Sequence, residues 1–212
     1  MVKIKVDGRE LDAREGSLLL TVCLENGIYI PNLCYIEGRT HQSSSCRLCF
    51  VEIAGKPGPV PSCSVPVVEG MEVRTDTEAV RRLQRSALSL LLSVHQVDCG
   101  HCPSNKKCEL QKIARFLKVG LKPKGLVTYI KEGPLEDNGH PVLEYHPERC
   151  VACGRCIHAC VSAQGTAYLA FAGRGLKTFV SFFGESDVPD LPCKDCKACV
   201  DACPVSAILP RQ

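Results

Sequence analysis

The chain contains no tryptophan and only two methionines, and aromatic residues make up 5% of its 212 positions. So few large rings argue against one large core. Small domains with modest cores commonly depend on metal or disulfide staples. Long apolar runs are missing too. No window approaches the 18 apolar residues that a membrane-spanning helix requires, and the N-terminus, MVKIKVDGRE, has no apolar stretch of signal-peptide length. Charge is nearly balanced, with 26 Lys and Arg against 23 Asp and Glu for a formal +3, and this gives no sign of nucleic-acid binding. No G-x-G-x-x-G follows a strand-like segment and no Walker motif occurs. GRGLK at 173–177 is too short a glycine pattern to bind a nucleotide by itself.

Cysteine, by contrast, is abundant, with sixteen residues. Such density marks either a disulfide scaffold or a metal protein. Disulfide scaffolds are usually short and secreted, and this chain shows neither trait. A cytoplasmic, reducing location is therefore expected, with the thiols free to bind metal.

The cysteines fall in four groups, which predicts a string of modules of α+β class. Residues 1–78 read as a small α/β unit. Lys3-Ile4-Lys5-Val6 alternates like a strand, and Asp7-Gly8 is a hairpin turn signal. Ser17 is placed to cap a helix that runs to about Asn26 and stops at Gly27. Residues 28–46 look like loop, and Phe50–Ile53 and Met71–Arg74 alternate as further strands. Residues 76–95 carry apolar side chains at helical intervals, with capping-box spacing between Thr75 and Glu78. A small helical domain is predicted over 79–120 and a Gly-, Pro- and charge-rich linker over 121–140. Residues 141–212 form two similar halves, each a cysteine triplet followed by a fourth cysteine.

That C-terminal pair is the strongest signal. CVACGRCIHAC supplies Cys150, Cys153, Cys156 and Cys160, and CKDCKACVDACP supplies Cys193, Cys196, Cys199 and Cys203. Both have the C-x2-C-x2-C-x3-C spacing of bacterial-ferredoxin-like domains with two [4Fe–4S] clusters. Two-residue gaps wrap a loop around three corners of a cubane, and the fourth cysteine reaches the other cluster. One cluster is then expected on Cys150, Cys153, Cys156 and Cys203, and the other on Cys193, Cys196, Cys199 and Cys160. Val161 stands where proline usually follows the first run. A pair of zinc sites would favour separated C-x2-C pairs instead.

Spacing decides less for the other two groups. Cys34, Cys46, Cys49 and Cys63 suit a [2Fe–2S] rhomb, with zinc as a rival. His95, Cys99, Cys102 and Cys108 suit zinc or a [4Fe–4S] cluster, and zinc is the commoner answer for one imidazole and three thiolates. Cys23 reads as a small buried hydrophobe. His41, His101, His140, His146 and His158 complete no ligand set. Arg149, Arg155, Lys194 and Lys197 read as a solvated face.

The stretches IPNLCYIEG, SCRLCFVEI, HQVDCGHC with CELQ, and the two ferredoxin runs occur in a characteristic order. The chain resembles the iron–sulfur module at the N-terminus of the large peripheral-arm subunit of NADH:quinone oxidoreductase. It is equally similar to the iron–sulfur (diaphorase) subunit of NAD-reducing [NiFe] hydrogenases. Related modules occur in [FeFe] hydrogenases and NAD-dependent formate dehydrogenases. The resemblance covers essentially the whole chain. It implies a ubiquitin-like, plant-type-ferredoxin-like [2Fe–2S] domain at the first group, a His-ligated [4Fe–4S] cluster at the second and two all-cysteine cubanes at the third. It also implies a non-catalytic electron relay with two partners: a flavin subunit that meets NAD(H), and a second, hydrogenase-like catalytic subunit. Only nine residues follow Cys203. The expectation is therefore that neither a molybdopterin-like nor an H-cluster domain follows, which leans toward the hydrogenase subunit. Relays of formate dehydrogenases, quinone reductases or electron-bifurcating complexes are the alternatives. A free polyferredoxin and a metal-stapled sensor or interaction module are the readings from other classes.

Overall fold

The computed structural model describes residues 1–130, 140–182 and 192–211. They divide into two compact units, Met1–Ser89 with Ile113–Val119 and Leu90–Lys112 with Gly120–Gln212.

The first unit follows from strand alternation. In β1, Val2–Val6, the three apolar residues are buried and both lysines exposed. Asp7 and Gly8 adopt φ of 47° and 85°, the left-handed pair that a tight hairpin requires. The chain returns as β2, Arg9–Ala13, with Val6 opposite Arg9 and Val2 opposite Ala13. Three further strands, β3 (Phe50–Ile53), β4 (Val60–Pro61) and β5 (Glu72–Arg74), complete a five-stranded sheet of order β2-β1-β5-β3-β4. β1 and β5 run parallel, and the other pairings are antiparallel.

Helix α1, Leu19–Glu25, buries Leu19, Leu20, Val22 and Cys23 in the core with the inward residues of β1 and β2. Each fully buried aliphatic side chain contributes about 1.5–3 kcal/mol relative to exposure. The helix stops as predicted at Gly27, where φ is 72° and the amide bonds back to Leu24. Its start is different. Leu18, not Ser17, occupies the capping position and offers no side-chain bond. Tertiary pairing takes the place of the cap: Leu18 bridges to Pro66, and the Leu19 amide donates to the Val65 carbonyl at 2.8 Å.

The long helix α2 covers Glu78–Ser93, and its cap also differs from expectation. Thr77 Oγ1 accepts from the Val80 amide at 3.2 Å. Thr75 is engaged elsewhere, donating from its amide and its hydroxyl to the Asp7 carboxylate. In the first unit Gln84 of α2 donates to the Phe50 carbonyl of β3. Helix α3, Glu109–Leu117, begins in the second unit and ends in the first. Its Phe116 meets Tyr29 edge-on at 4.8 Å and lies 4.4 Å beneath the Arg81 guanidinium.

In the second unit, β6 (Leu143–Tyr145) pairs antiparallel with β9 (Ile208–Pro210), closing the two ends of the cysteine repeat. Between them lie α4 (Arg155–Gln164), the hairpin of β7 (Leu169–Ala172) and β8 (Phe179–Phe182), and α5 (Ala198–Asp201). Each cysteine triplet thus leads into a helix, as the internal repeat predicts. GRGLK forms the hairpin connection, where a Cβ on Gly173 would collide with the Lys177 carbonyl. That gives its first glycine a structural role. Within the predicted linker, residues 121–130 contain no helix or strand, and 131–139 lie outside the described residues. Among the described residues no helix is long and apolar enough to cross a membrane.

Candidate metal centres

All sixteen cysteines are free thiols. The first unit gathers Cys34, Cys46, Cys49 and Cys63, all buried. The first two lie on the loop between α1 and β3, Cys49 immediately precedes β3, and Cys63 sits in the 3-10 turn Ser62–Ser64. Ser44 and Arg47 adopt positive φ (49° and 54°), an uncommon conformation for residues with a side chain. The sulfurs of Cys34 and Cys46 stand 3.4 Å apart, and the Ser44 hydroxyl lies 3.2 Å from the Cys63 sulfur. Ser62 anchors the turn, donating from amide and hydroxyl to the Cys49 carbonyl at 2.9 and 2.8 Å. Within each pair, Cys34–Cys46 and Cys49–Cys63, the thiol bond pulls one acidity down and pushes the other up. A bound cation would favour the thiolate form of both members of each pair.

The second unit holds the other three groups. Cys99 and Cys102 lie half-buried on and just after the 3-10 turn Cys99–His101, and Cys108 is buried directly before α3. Burial, then the charges of Cys102 and Cys99, raise the Cys108 pKa. This loop is tied to the segment after Cys203, where the Glu109 amide donates to the Pro204 carbonyl at 3.3 Å and Ser104 bonds Ser206. His95 follows the end of α2. Its Nδ1 lies 2.7 Å from the Arg149 carbonyl, which can only accept, so Nδ1 carries the hydrogen and Nε2 keeps a free lone pair. The neighbouring Gln96 amide donates to the Glu148 carbonyl at 2.7 Å and reinforces the placement. Burial lowers the His95 pKa, which preserves the neutral ring that a metal requires.

Cys150, Cys153, Cys156 and Cys203 line one cavity, together with Val180 and Val205. The distant Cys203 thus joins the first triplet. Cys160 lies instead with the second triplet. Burial and the charges of Cys160 and Cys196 raise the Cys193 pKa, while burial, Cys160 and Cys193 push Cys199 up to about 11. In the cavity, burial pushes Cys153 up to about 12 and Cys156 higher still. Thiols this hard to ionise become ligands when a metal's positive charge inverts the balance. Backbone amides already point at two sulfurs, Ala152 to Cys150 at 3.4 Å and Ala207 to Cys203 at 3.1 Å. Four thiols, amide donors and apolar walls suit a soft, thiolate-bound group. Among the described residues, no three His, Cys, Asp or Glu side chains are grouped as a single metal ion would need.

The remaining predicted bystanders have other settings. Burial pushes Cys23 up to about 12 inside the N-terminal core. His101 pairs with Asp98 on the surface, His146 bonds Glu148, His158 contacts Ser162, and His140 accepts from two backbone amides. His41 is exposed. Sequence reasoning missed Tyr145, which lines the cysteine cavity, and the Arg149 carbonyl. The Val180 amide that fixes the Tyr145 hydroxyl is 35 positions away and His95 is 54 positions from the Arg149 carbonyl, so no local pattern announces them.

Two families match along the chain. Residues 1–78 match the 2Fe-2S iron-sulfur cluster binding domain, and residues 84–121 match the NADH-ubiquinone oxidoreductase-G iron-sulfur binding region. The fold and its matched regions define an iron–sulfur protein with [2Fe–2S]-type and [4Fe–4S]-type binding regions. Over 99% of its length the chain is 32% identical to a subunit of the NADH-quinone oxidoreductase of Rhizobium meliloti, covering 24% of that protein. Over its full length it is 31% identical to a subunit of the NADP-reducing hydrogenase of Solidesulfovibrio fructosivorans, covering 36%. It therefore spans about a quarter to a third of these curated relatives. A chain in the crystal structure of NAD+-reducing [NiFe]-hydrogenase in the H2-reduced state superposes with a TM-score of 0.84 at 27% identity, over 99% of this chain and 87% of that one. The protein is homologous to the iron–sulfur modules of NADH:quinone oxidoreductase and NAD-reducing hydrogenase.

Proposed function

We propose that this chain is a non-catalytic electron relay between a flavin subunit that meets NAD(H) and a hydrogenase-like catalytic subunit. The observation that carries this reading is the near-complete overlap with one chain of an NAD+-reducing [NiFe]-hydrogenase. The ligand sets are Cys34, Cys46, Cys49 and Cys63 for one [2Fe–2S] cluster, and His95, Cys99, Cys102 and Cys108 for one [4Fe–4S] cluster. Two further cubanes fall to Cys150, Cys153, Cys156 and Cys203, and to Cys193, Cys196, Cys199 and Cys160. The convergence of Cys203 on the first triplet supports the crossed assignment. When bound, the clusters accept and release single electrons. The residues hold them, keep water from the buried sulfurs and aim amide donors at Cys150 and Cys203. The boundaries 1–78, 79–120 and 141–212 serve as working domains, and thiolate ligation of this kind fits a reducing, cytoplasmic setting.

The test is stopped-flow bleaching of cluster absorbance by NADH, with and without the flavin-bearing partner. The isolated chain should bleach with a strong artificial reductant and not with NADH, because hydride must first be split into single electrons by a flavin. Rapid bleaching of the purified single chain by NADH overturns the proposal. A second reading, the equivalent relay of a quinone reductase, is favoured by the 32% identity to the Rhizobium meliloti protein. The partners that co-purify with the native protein separate the two.

A further inference from the structure

Tyr145 lies in β6, opposite Ile208 of β9, and the pairing directs its ring into the cavity shared by Cys150, Cys153, Cys156 and Cys203. Phe182 meets the ring nearly edge-on, with centroids 6.3 Å apart. The hydroxyl has one hydrogen and two lone pairs. The Val180 amide donates to its oxygen at 3.0 Å, which occupies one lone pair and fixes the C–O direction. The ring is half-buried, and the hydrogen, turned toward the cavity, needs an acceptor there, because a hydroxyl shielded from water without one is costly. Apart from backbone, the cavity wall offers aliphatic groups and sulfur. Of the cysteines that line this cavity with Tyr145, Cys150 is the one that, after burial, raises the Tyr145 pKa most, which singles it out as the acceptor.

We infer that Tyr145 is a positioning and tuning residue, whose O–H donates to the Cys150 sulfur and raises the reduction potential of the cluster that this ring of cysteines binds. The inference rests on the ligand assignment proposed above. Cys150 then accepts from both the Ala152 amide and the Tyr145 hydroxyl. Hydrogen bonds to cluster sulfurs stabilise the more negative, reduced state and so raise the potential. The Val180–Tyr145 bond ties this donor to β8, so the hairpin holds the hydroxyl in place.

The experiment is an EPR-monitored redox titration of the full-length holoprotein, wild type against Tyr145→Phe, with Tyr168→Phe as a control. Tyr145→Phe should lower the potential of one cubane and remove one D2O-exchangeable deuteron coupling from its ENDOR spectrum. Iron content and the other clusters should be unchanged, and Tyr168→Phe should match wild type. An unshifted potential in Tyr145→Phe at full iron content overturns the inference. If that variant loses iron, the decision passes to the wild-type sequence grown with 3-fluorotyrosine, whose hydroxyl is a stronger donor. There the potential of the same cubane should rise, and an unchanged value overturns the inference. Failure of the ligand assignment looks different: Cys150→Ala would then keep its full iron.

Discussion

The two ends of the chain solve the same problem in opposite ways. The N-terminal unit has an ordinary core, in which Ile4, Val6, Leu19, Leu20, Ile30 and Val51 pack at no more than 2% exposure, and Cys49 and Cys63 join a cluster that is mostly aliphatic. In residues 141–211 the strands are short, α5 has four residues, and Cys150, Cys156, Cys160 and Cys199 make up a large part of the few buried side chains. One end has a fold that can hold a site, and on the proposed ligand sets the clusters at the other end would supply much of the fold. Short modules with little apolar surface commonly draw folding free energy from metal binding.

The largest expected effect comes from taking the iron away. The native holoprotein should contain about 14 iron per chain on the proposed ligand sets. Anaerobic chelation should abolish hydrogen-exchange protection of the β6 and β9 amides and of α4. The β1–β2 ladder should stay protected. Equal protection of β6 and β9 in the apo and holo forms would show the clusters to be passengers there.

Substitutions sharpen the contrast from both sides. Leu20→Ala should cost about 2–5 kcal/mol in the N-terminal unit, from lost burial plus a cavity, while the C-terminal cubanes persist. Cys160→Ala should remove about four iron per chain from the ring of Cys193, Cys196 and Cys199, with the N-terminal unfolding transition unmoved. Cys23→Ala should leave iron content at the wild-type value. Iron analysis and denaturant melts check all three, and iron loss in Cys23→Ala would make that residue a ligand.

The legible parts were those whose information is local. Alternation in Val2–Val6 and the left-handed demand at Asp7-Gly8 specify the first hairpin, and Gly27 specifies the end of α1. Regular cysteine spacing places Cys203 beside the first triplet and Cys160 beside the second, where the fold also puts them. What escaped depends on long-range pairing. Ser17 looked like a cap, yet Val65 satisfies the first amide of α1, and Thr75 was claimed by Asp7, 68 positions away. The tautomer of His95 is fixed by a carbonyl 54 positions away, and Tyr145 reaches the cavity through its register with Ile208.

The smallest expected effect is a pH dependence confined to the C-terminal unit. His140 is buried, and its Nδ1 accepts from the Val142 and Leu143 amides at 3.3 and 3.1 Å, while its ring leans on Phe182 at 4.9 Å. Protonating Nδ1 would set a donor against two donors. Burial first, and the Arg211 charge second, lower its pKa from 6.5. The unfolded chain therefore binds this proton more readily than the folded one, and stability rises with pH wherever that holds. The contribution is fully present above the unfolded value of 6.5 and declines as pH falls through the interval between the unfolded and folded values. His140→Gln keeps a side-chain acceptor but cannot titrate, so the C-terminal melting temperature of the holoprotein should lose part of its fall below pH 6.5. The N-terminal transition should be the same in both proteins. The check is a pair of calorimetric pH series. If the two profiles coincide through the acid range, His140 does not titrate on unfolding, and the acid sensitivity of this unit belongs to its cysteine ligands.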